Sequence, residues 1–264
     1  MFRAFNLSLS WQGGTDELQR IGAEAIAQNE GSVKAALAQF LSADGVVDGT
    51  GIQSRVFPQI AAEVFISHSH WDSTDALALA GWLKRDFNLT SFIDSYVWGY
   101  ADDLLKGIDN VYCWHDDSRQ SYSYERRNGS TSHVHMMLAT ALAKMIDSTE
   151  CILFLNTPNA ISAKQATDKT RSPWLFAEIA LIQLLRQASK EFHRQRFNLI
   201  KTAGRSTVIG ESRSDFRPEY VVDLSSLTSI NNATLLTWRN KWKSKLPRGP
   251  HALDDLYSVA DEAA

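Results

Sequence analysis

Cysteine is nearly absent from this chain, with Cys113 and Cys151 the only two. Cys151 opens an apolar run, which argues against a disulfide framework and fits a reducing compartment. No segment is long and apolar enough to span a bilayer, and the opening from Met1 to Trp11 lacks the sustained apolar run of a secretory signal. Cytoplasmic residence, with no membrane partner, is the expectation. Neither sign of charge dominates: the formal net charge is -3, which does not suit a dedicated nucleic-acid binder. The locally cationic run from Trp238 to Lys245 reads as a solvated helix face. Glycine fingerprints are missing too. Gly99, Gly107 and Gly129 are isolated and no Gly-x-Gly-x-x-Gly follows a strand, which argues against a redox dehydrogenase. Histidines occur in pairs, His68 with His70 and His133 with His135, and His115 stands beside two aspartates. Without cysteine pairs or a His-Glu-x-x-His spacing they do not read as a zinc site, so no metal is expected.

What is present is an ordinary globular composition. In 264 residues, 44% are hydrophobic and 22% charged, enough for one substantial core and a smaller appendage. Residues 1–60 carry helical patterns at Thr15 to Gln28 and Ser32 to Leu41, and read as a small helical N-terminal extension. From Glu63 the pattern changes to short apolar runs followed by helical stretches: Val64-Phe-Ile with a helix from Thr74 to Phe87, Ser91-Phe-Ile ending at Asp94, and Cys151 to Leu155 after a helix from Val134 to Ile146. Continuous apolar strands alternating with helices predict an α/β fold with a buried, central parallel sheet and helices on both faces. Further short strands are expected at Phe197 to Lys201, Thr207 to Gly210 and Tyr220 to Leu224, with a closing helix from Ala233 to Lys245. The main domain is therefore read as 61–250, followed by a C-terminal tail, 251–264. Between Tyr96 and Arg127 the chain is polar yet rich in tyrosine and tryptophan. Such a segment is too aromatic for a flexible linker, and reads either as a lid or contact surface or as a loop with a small core of its own.

One carboxylate stands out. From Ser172 to Leu185 the chain is almost wholly apolar except for Glu178. Ser172 suits the N-cap and Pro173 the first helical position, so a capping-box acid would fall at Leu175 and capping does not explain Glu178. Positions three and four away hold Trp174, Leu175, Leu181 and Ile182, none of them basic. Two readings follow: a Glu that snorkels to the surface or pairs with another element, and a desolvated acid with a raised pKa at a reactive site. In an open parallel sheet, ligands bind beyond the carboxyl ends of the strands. Three segments would converge there: the loop from Ser67 to Asp72, Asp94 with the loop after it, and the first turns of the Glu178 helix. Ser67, His68, Asp72, Asp94, Trp98 and Trp174 are thus candidate substrate contacts beside Glu178. Ser67 and Asp72 could equally turn the chain and cap the following helix, and Asp94 could order its own loop.

At these residues the sequence resembles the Toll/interleukin-1 receptor (TIR) domain family, in the form found in bacterial defence proteins and in the animal axon-degeneration NAD hydrolase. Glu63-Val-Phe-Ile-Ser-His-Ser is similar to the family's first strand and loop. Ser91-Phe-Ile-Asp94, with the run from Trp98 to Ile108, is similar to the second strand and the loop into the next helix. Cys151-Ile-Leu-Phe-Leu-Asn resembles the third strand, and Ser172-Pro-Trp-Leu-Phe-Ala-Glu178 resembles the Ser-x-Trp-x-x-x-Glu helix. Departures are His68 where an aromatic residue is common, an aromatic-rich insertion near 109–132, and the N-terminal segment. The resemblance implies a flavodoxin-like TIR fold in which Glu178 is catalytic in cleaving the nicotinamide–ribose bond of NAD. NAD would be substrate rather than cofactor, and the product would be ADP-ribose or a cyclic ADP-ribose-type signal read by a downstream effector. It also implies a homo-oligomer built through TIR–TIR contacts, and a role in antiphage defence. Two other readings stand beside it: a catalytically silent TIR module that acts by self-association, and a base-exchange enzyme such as a nucleoside deoxyribosyltransferase, in which a carboxylate also acts on a sugar carbon.

Overall fold

The computed structural model describes residues 1–27, 59–161, 169–170, 172–185, 187–201, 220–245 and 251–263, with Gln53, Val56 and Phe57. In chain order the elements are β1 (Arg3–Ser8), α1 (Asp16–Ala27), β2 (Val64–Ser67), a 3-10 turn at His70–Asp72, α2 (Ser73–Phe87), β3 (Ser91–Ile93), α3 (Ser95–Tyr112), α4 (Tyr124–Ser148) and β4 (Cys151–Leu155). They are followed by β5 (Lys169–Thr170), α5 (Pro173–Leu184), α6 (Lys190–Lys201), β6 (Tyr220–Val221), β7 (Thr228–Asn231), α7 (Asn232–Ser244) and α8 (Ala252–Glu262). Among the described residues no helix is long and apolar enough to cross a membrane.

The parallel sheet foreseen from the sequence is there, with five strands in the order β3-β2-β4-β1-β7. All four residues of β2 and all five of β4 are buried, as strands covered on both faces require. The pleat sends alternate residues to opposite sides. On one side Phe65, Phe92, Ile152 and Phe154 meet Leu104 of α3, Leu138, Leu142 and Met145 of α4, and Leu175, Ile179 and Ile182 of α5. On the other, Phe5, Leu7, Val64, Ile66, Leu153, Leu155 and Ile230 meet Leu18 of α1, Leu79 and Leu83 of α2, Trp238 of α7, and Leu253 and Leu256 of α8.

The arrangement is flavodoxin-like, with one place filled unexpectedly. In the order 2-1-3-4-5 the strand beside the third is the next one along the chain; here it is β1, whose Phe5 pairs with Leu153 on one side and Thr228 on the other. The first residues are therefore not a helical extension ahead of the domain but an interior strand. α1 belongs to the domain as well, because it crosses α2 closely: a Cβ at Gly22 would collide with the carbonyl of Leu77, and one at Gly81 with that of Leu18. The expected tail is corrected likewise. α8 buries Leu253, Leu256 and Tyr257, and Ala252 accepts a hydrogen bond from Trp238 Nε1 at 2.8 Å.

Other expectations fared differently. Phe197 to Lys201 is the end of helix α6 rather than a strand. Tyr220–Val221 pairs antiparallel with β5 in a separate two-stranded sheet. The pattern from Ser32 to Leu41 and the strand at Thr207 to Gly210 lie outside the described residues. Most of the 109–132 insertion is helix, because α3 runs on to Tyr112 and α4 starts at Tyr124. The turn between them packs its own rings: Trp114 stacks on Tyr122 at 4.2 Å and Arg127 lies over Tyr122. Below, Asp109 accepts from Arg127 Nε at 2.8 Å and from Ser130 Oγ at 2.6 Å.

Candidate functional site

The chain leaves β2 for β3 on one side and then returns past β2 to β4 on the other, which makes the carboxyl end of β2 the point where the winding reverses. Ligand crevices form at such points. Ser67 is the last residue of β2 and His68 follows it; Asp94 follows β3 and caps α3, its Oδ1 accepting from the Ser95 amide at 2.7 Å.

Glu178 arrives from the other direction, in the second turn of α5. Ser172 caps this helix, its Oγ accepting from the Leu175 amide at 3.2 Å, and Pro173 occupies the first turn. Although α5 is apolar nearly all round, only Leu175, Glu178, Ile179 and Ile182 are buried, whereas Leu184 is 81% exposed. The helix thus turns its one acid inward on the buried stripe and leaves apolar side chains in solvent, the reverse of snorkelling.

Four predicted residues meet there. Ser67 Oγ donates to Glu178 Oε2 at 2.6 Å, and His68 Nδ1 stands 2.7 Å from Asp94 Oδ1, an ion-pair contact whose direction is not that of a straight hydrogen bond. Ser67, His68 and Asp94 are 0% exposed and Glu178 is 1% exposed. Burial pushes the Glu178 carboxyl well above the ordinary carboxylate range, the facing Asp94 carboxyl pushes it further by its charge and by a hydrogen bond, and the Ser67 hydroxyl pulls the other way. The Glu178 and Asp94 carboxyls hydrogen-bond to each other, which needs a proton held between them, and the His68 ring nitrogens have no straight hydrogen bond. Two carboxyls and an imidazole sealed together cost stability, which makes this cluster the candidate site. Chemically, the cluster can present a neutral acid or, once the proton has gone, a carboxylate facing a cation.

Asp72 and Trp174 make contacts of their own. Asp72 does not cap α2 with its side chain; Thr157 Oγ1 donates to its Oδ2 at 2.5 Å and Asn159 Nδ2 to its Oδ1 at 2.7 Å. Both its oxygens are taken up in tying the 3-10 turn to the loop after β4. Thr157 and Asn159 were missed in the sequence, where only the polar run after an apolar strand hinted at them. Trp174 is half-buried, meets the His135 ring edge-on at 5.7 Å and packs against the core on the α4 side. Trp98 lies on α3 with its side chain outside the described part. Trp71, not singled out from the sequence, is 72% exposed on the 3-10 turn.

A cavity of about 250 Å³ lies at the opposite, amino edge of the sheet, lined by Glu63, Glu150, His193, Arg194 and His251 among others. Its carboxylates are occupied. Glu150 accepts from Arg194 twice at 2.9 Å and from Tyr257 at 3.0 Å, while Glu63 accepts from the Thr90 amide and contacts His251. This network fastens α6 and α8 to the sheet, and the cluster around Glu178 is the better candidate for chemistry. No family model, curated protein or solved structure matches the chain.

Proposed function

We propose that the chain is an NAD-consuming enzyme that cleaves the bond between nicotinamide and ribose, in the manner of the NAD-cleaving TIR proteins its sequence resembles. The observation that carries this reading is the inward-facing Glu178, hydrogen-bonded by Ser67 at the end of β2. The pyridinium nitrogen of NAD already bears positive charge and leaves as neutral nicotinamide, so little acid catalysis is needed. As the C1′–N bond breaks, positive charge spreads over C1′ and the ring oxygen of the ribose. A carboxylate in a water-excluding site stabilises that charge and accepts hydrogen bonds from the ribose hydroxyls; Glu178, ionised, takes this role. Water as acceptor gives ADP-ribose and one proton, whereas an acceptor within the same molecule gives a cyclic product. Antiphage defence, with an effector that reads the product, is the setting we attach to this activity.

Nicotinamide release from NAD by the purified chain is the test. Glu178→Gln is expected to lower kcat by about 10²–10³-fold with the circular dichroism spectrum unchanged, and mass spectrometry of the product separates hydrolysis from cyclisation. Equal turnover by variant and parent would remove Glu178 from the mechanism. A second reading, a silent module acting by self-association, draws on exposed Trp71 and Leu184. It takes over if the parent chain stays inactive at every concentration while sedimentation shows it to assemble.

A further inference from the structure

Among the described residues, the titratable groups that bear on Glu178 come from strand ends. Asp94 faces it from the end of β3, and His68, from the end of β2, contacts Asp94 in turn. Each carboxyl has one oxygen held by a donor outside the pair. Asp94 Oδ1 takes the Ser95 amide at 2.7 Å, with the His68 ring 2.7 Å away; Glu178 Oε2 takes the Ser67 hydroxyl at 2.6 Å; Asp94 Oδ2 and Glu178 Oε1 have no donor from elsewhere, and the two carboxyls hydrogen-bond to each other. One imidazole carries at most one positive charge. Two ionised carboxylates beside it would leave net negative charge sealed in the interior, which costs more than keeping one proton on the pair. Asp94 Oδ1 is held by a backbone amide with the His68 ring beside it. Glu178 has a single hydroxyl, so the proton belongs on Glu178.

We infer that Asp94, fixed by His68 and the Ser95 amide, is a positioning residue that keeps a proton on Glu178 in the closed site, and that a pyridinium-bearing ligand replaces this proton on binding. The inference rests on the NAD reading for the identity of the cation. Charge balances at each stage: the cation enters, one proton leaves to solvent, and the Glu178 carboxylate appears only where a cation faces it. NADH, whose dihydronicotinamide ring is uncharged, cannot drive the exchange. Below the pH at which Glu178 ionises, apparent affinity for NAD therefore rises about tenfold per pH unit, as release of one proton requires.

The test is infrared spectroscopy of the full chain at neutral pH, reading the protonated carboxyl stretch. A band is expected in the parent and absent in Glu178→Gln. Asp94→Asn should abolish it, because Glu178 then faces an amide in place of the carboxyl that holds its proton. His68→Gln should carry it to higher pH, because no imidazole then stands beside the carboxyl pair. These opposite shifts are not what general loosening of the site produces. Adding NAD should bleach the parent band within the first spectra, and NADH should leave it. Absence of the band, or its persistence in Asp94→Asn, overturns the inference whether or not NAD is cleaved. A band that survives NAD while nicotinamide is released overturns the inference and leaves the NAD reading intact. A band that follows the variants as described, in a chain that neither bleaches with NAD nor releases nicotinamide, confirms the proton on Glu178 and overturns the NAD reading together with the ligand exchange.

Discussion

A buried acid that keeps its proton ties stability to pH with a definite sign. Folded Glu178 holds its proton well above the ordinary carboxylate range, chiefly through burial, whereas the unfolded chain releases it near the usual pH of about 4.3. The folded state gains full benefit from the neutral acid below that value and loses it as pH rises through the folded pKa. A glutamine keeps the shape without the charge. Glu178→Gln should therefore melt higher than the parent, by a margin that widens from acidic toward neutral pH and beyond, read as Tm against pH by differential scanning. A margin that stayed constant across that range would mean that Glu178 is ionised in the folded protein. Much of this residue was legible in the sequence: an acid without cap or basic neighbour in an apolar helix, with Ser67 and Asp94 at strand ends. What it contacts was not legible. The Ser67–Glu178 bond spans 111 positions, and no local pattern encodes which strand end an incoming helix will face. The partners of Asp72 were illegible for the same reason, since Thr157 and Asn159 lie on a different loop.

Among the elements, the α1–α2 crossing shows how a few small side chains fix an assembly. Gly22 and Gly81 face the carbonyls of Leu77 and Leu18 across the contact with no room for a methyl group. Gly22→Ala or Gly81→Ala gains helix propensity, about 1 kcal/mol, but forces the backbones apart. Overpacking of this kind costs about 1–3 kcal/mol or more, so a net loss is expected, with the larger effect at Gly81 because α2 also carries Leu79 and Leu83 into the core. A denaturant midpoint at or above that of the parent would show that α1 can slide to make room. The helices themselves were readable from period and caps: α1, α2, α5 and α7 lie within a few residues of their expected limits. The failures were at polar helices. α6 reads KEFHRQRFNLIK, whose closing Phe-Asn-Leu-Ile mimics a short strand, and only its docking through Arg194 onto Glu150 and Asp254 settles it as helix.

Across the whole molecule, the sheet was foreseen and its membership was not. β2 and β4 announce themselves as unbroken apolar runs, but β1 reads RAFNLS, with polar residues on one side of its pleat. That alternation belongs to a half-exposed strand, and it holds: Phe5 and Leu7 are 0% exposed while Asn6 is half-buried and Ser8 exposed. The local pattern does not show that the strand is paired along both edges. Leu7→Ala should cost about 2–5 kcal/mol, measured by chemical unfolding, as a core position does; a cost near zero would return these residues to the periphery. Tyr257 of α8 stacks on Phe5 at 6.2 Å and meets Phe2 at 4.9 Å, so the two ends of the described chain share one core. The position of β1 has a further consequence for biosynthesis. This strand is synthesised well before its partners, Cys151 to Leu155 and Thr228 to Asn231. Contacts so distant in sequence fold slowly, and β1 waits unpaired until both have been made. A nascent chain therefore cannot complete its sheet in the order in which it is made; the sheet closes only once β7 has left the ribosome.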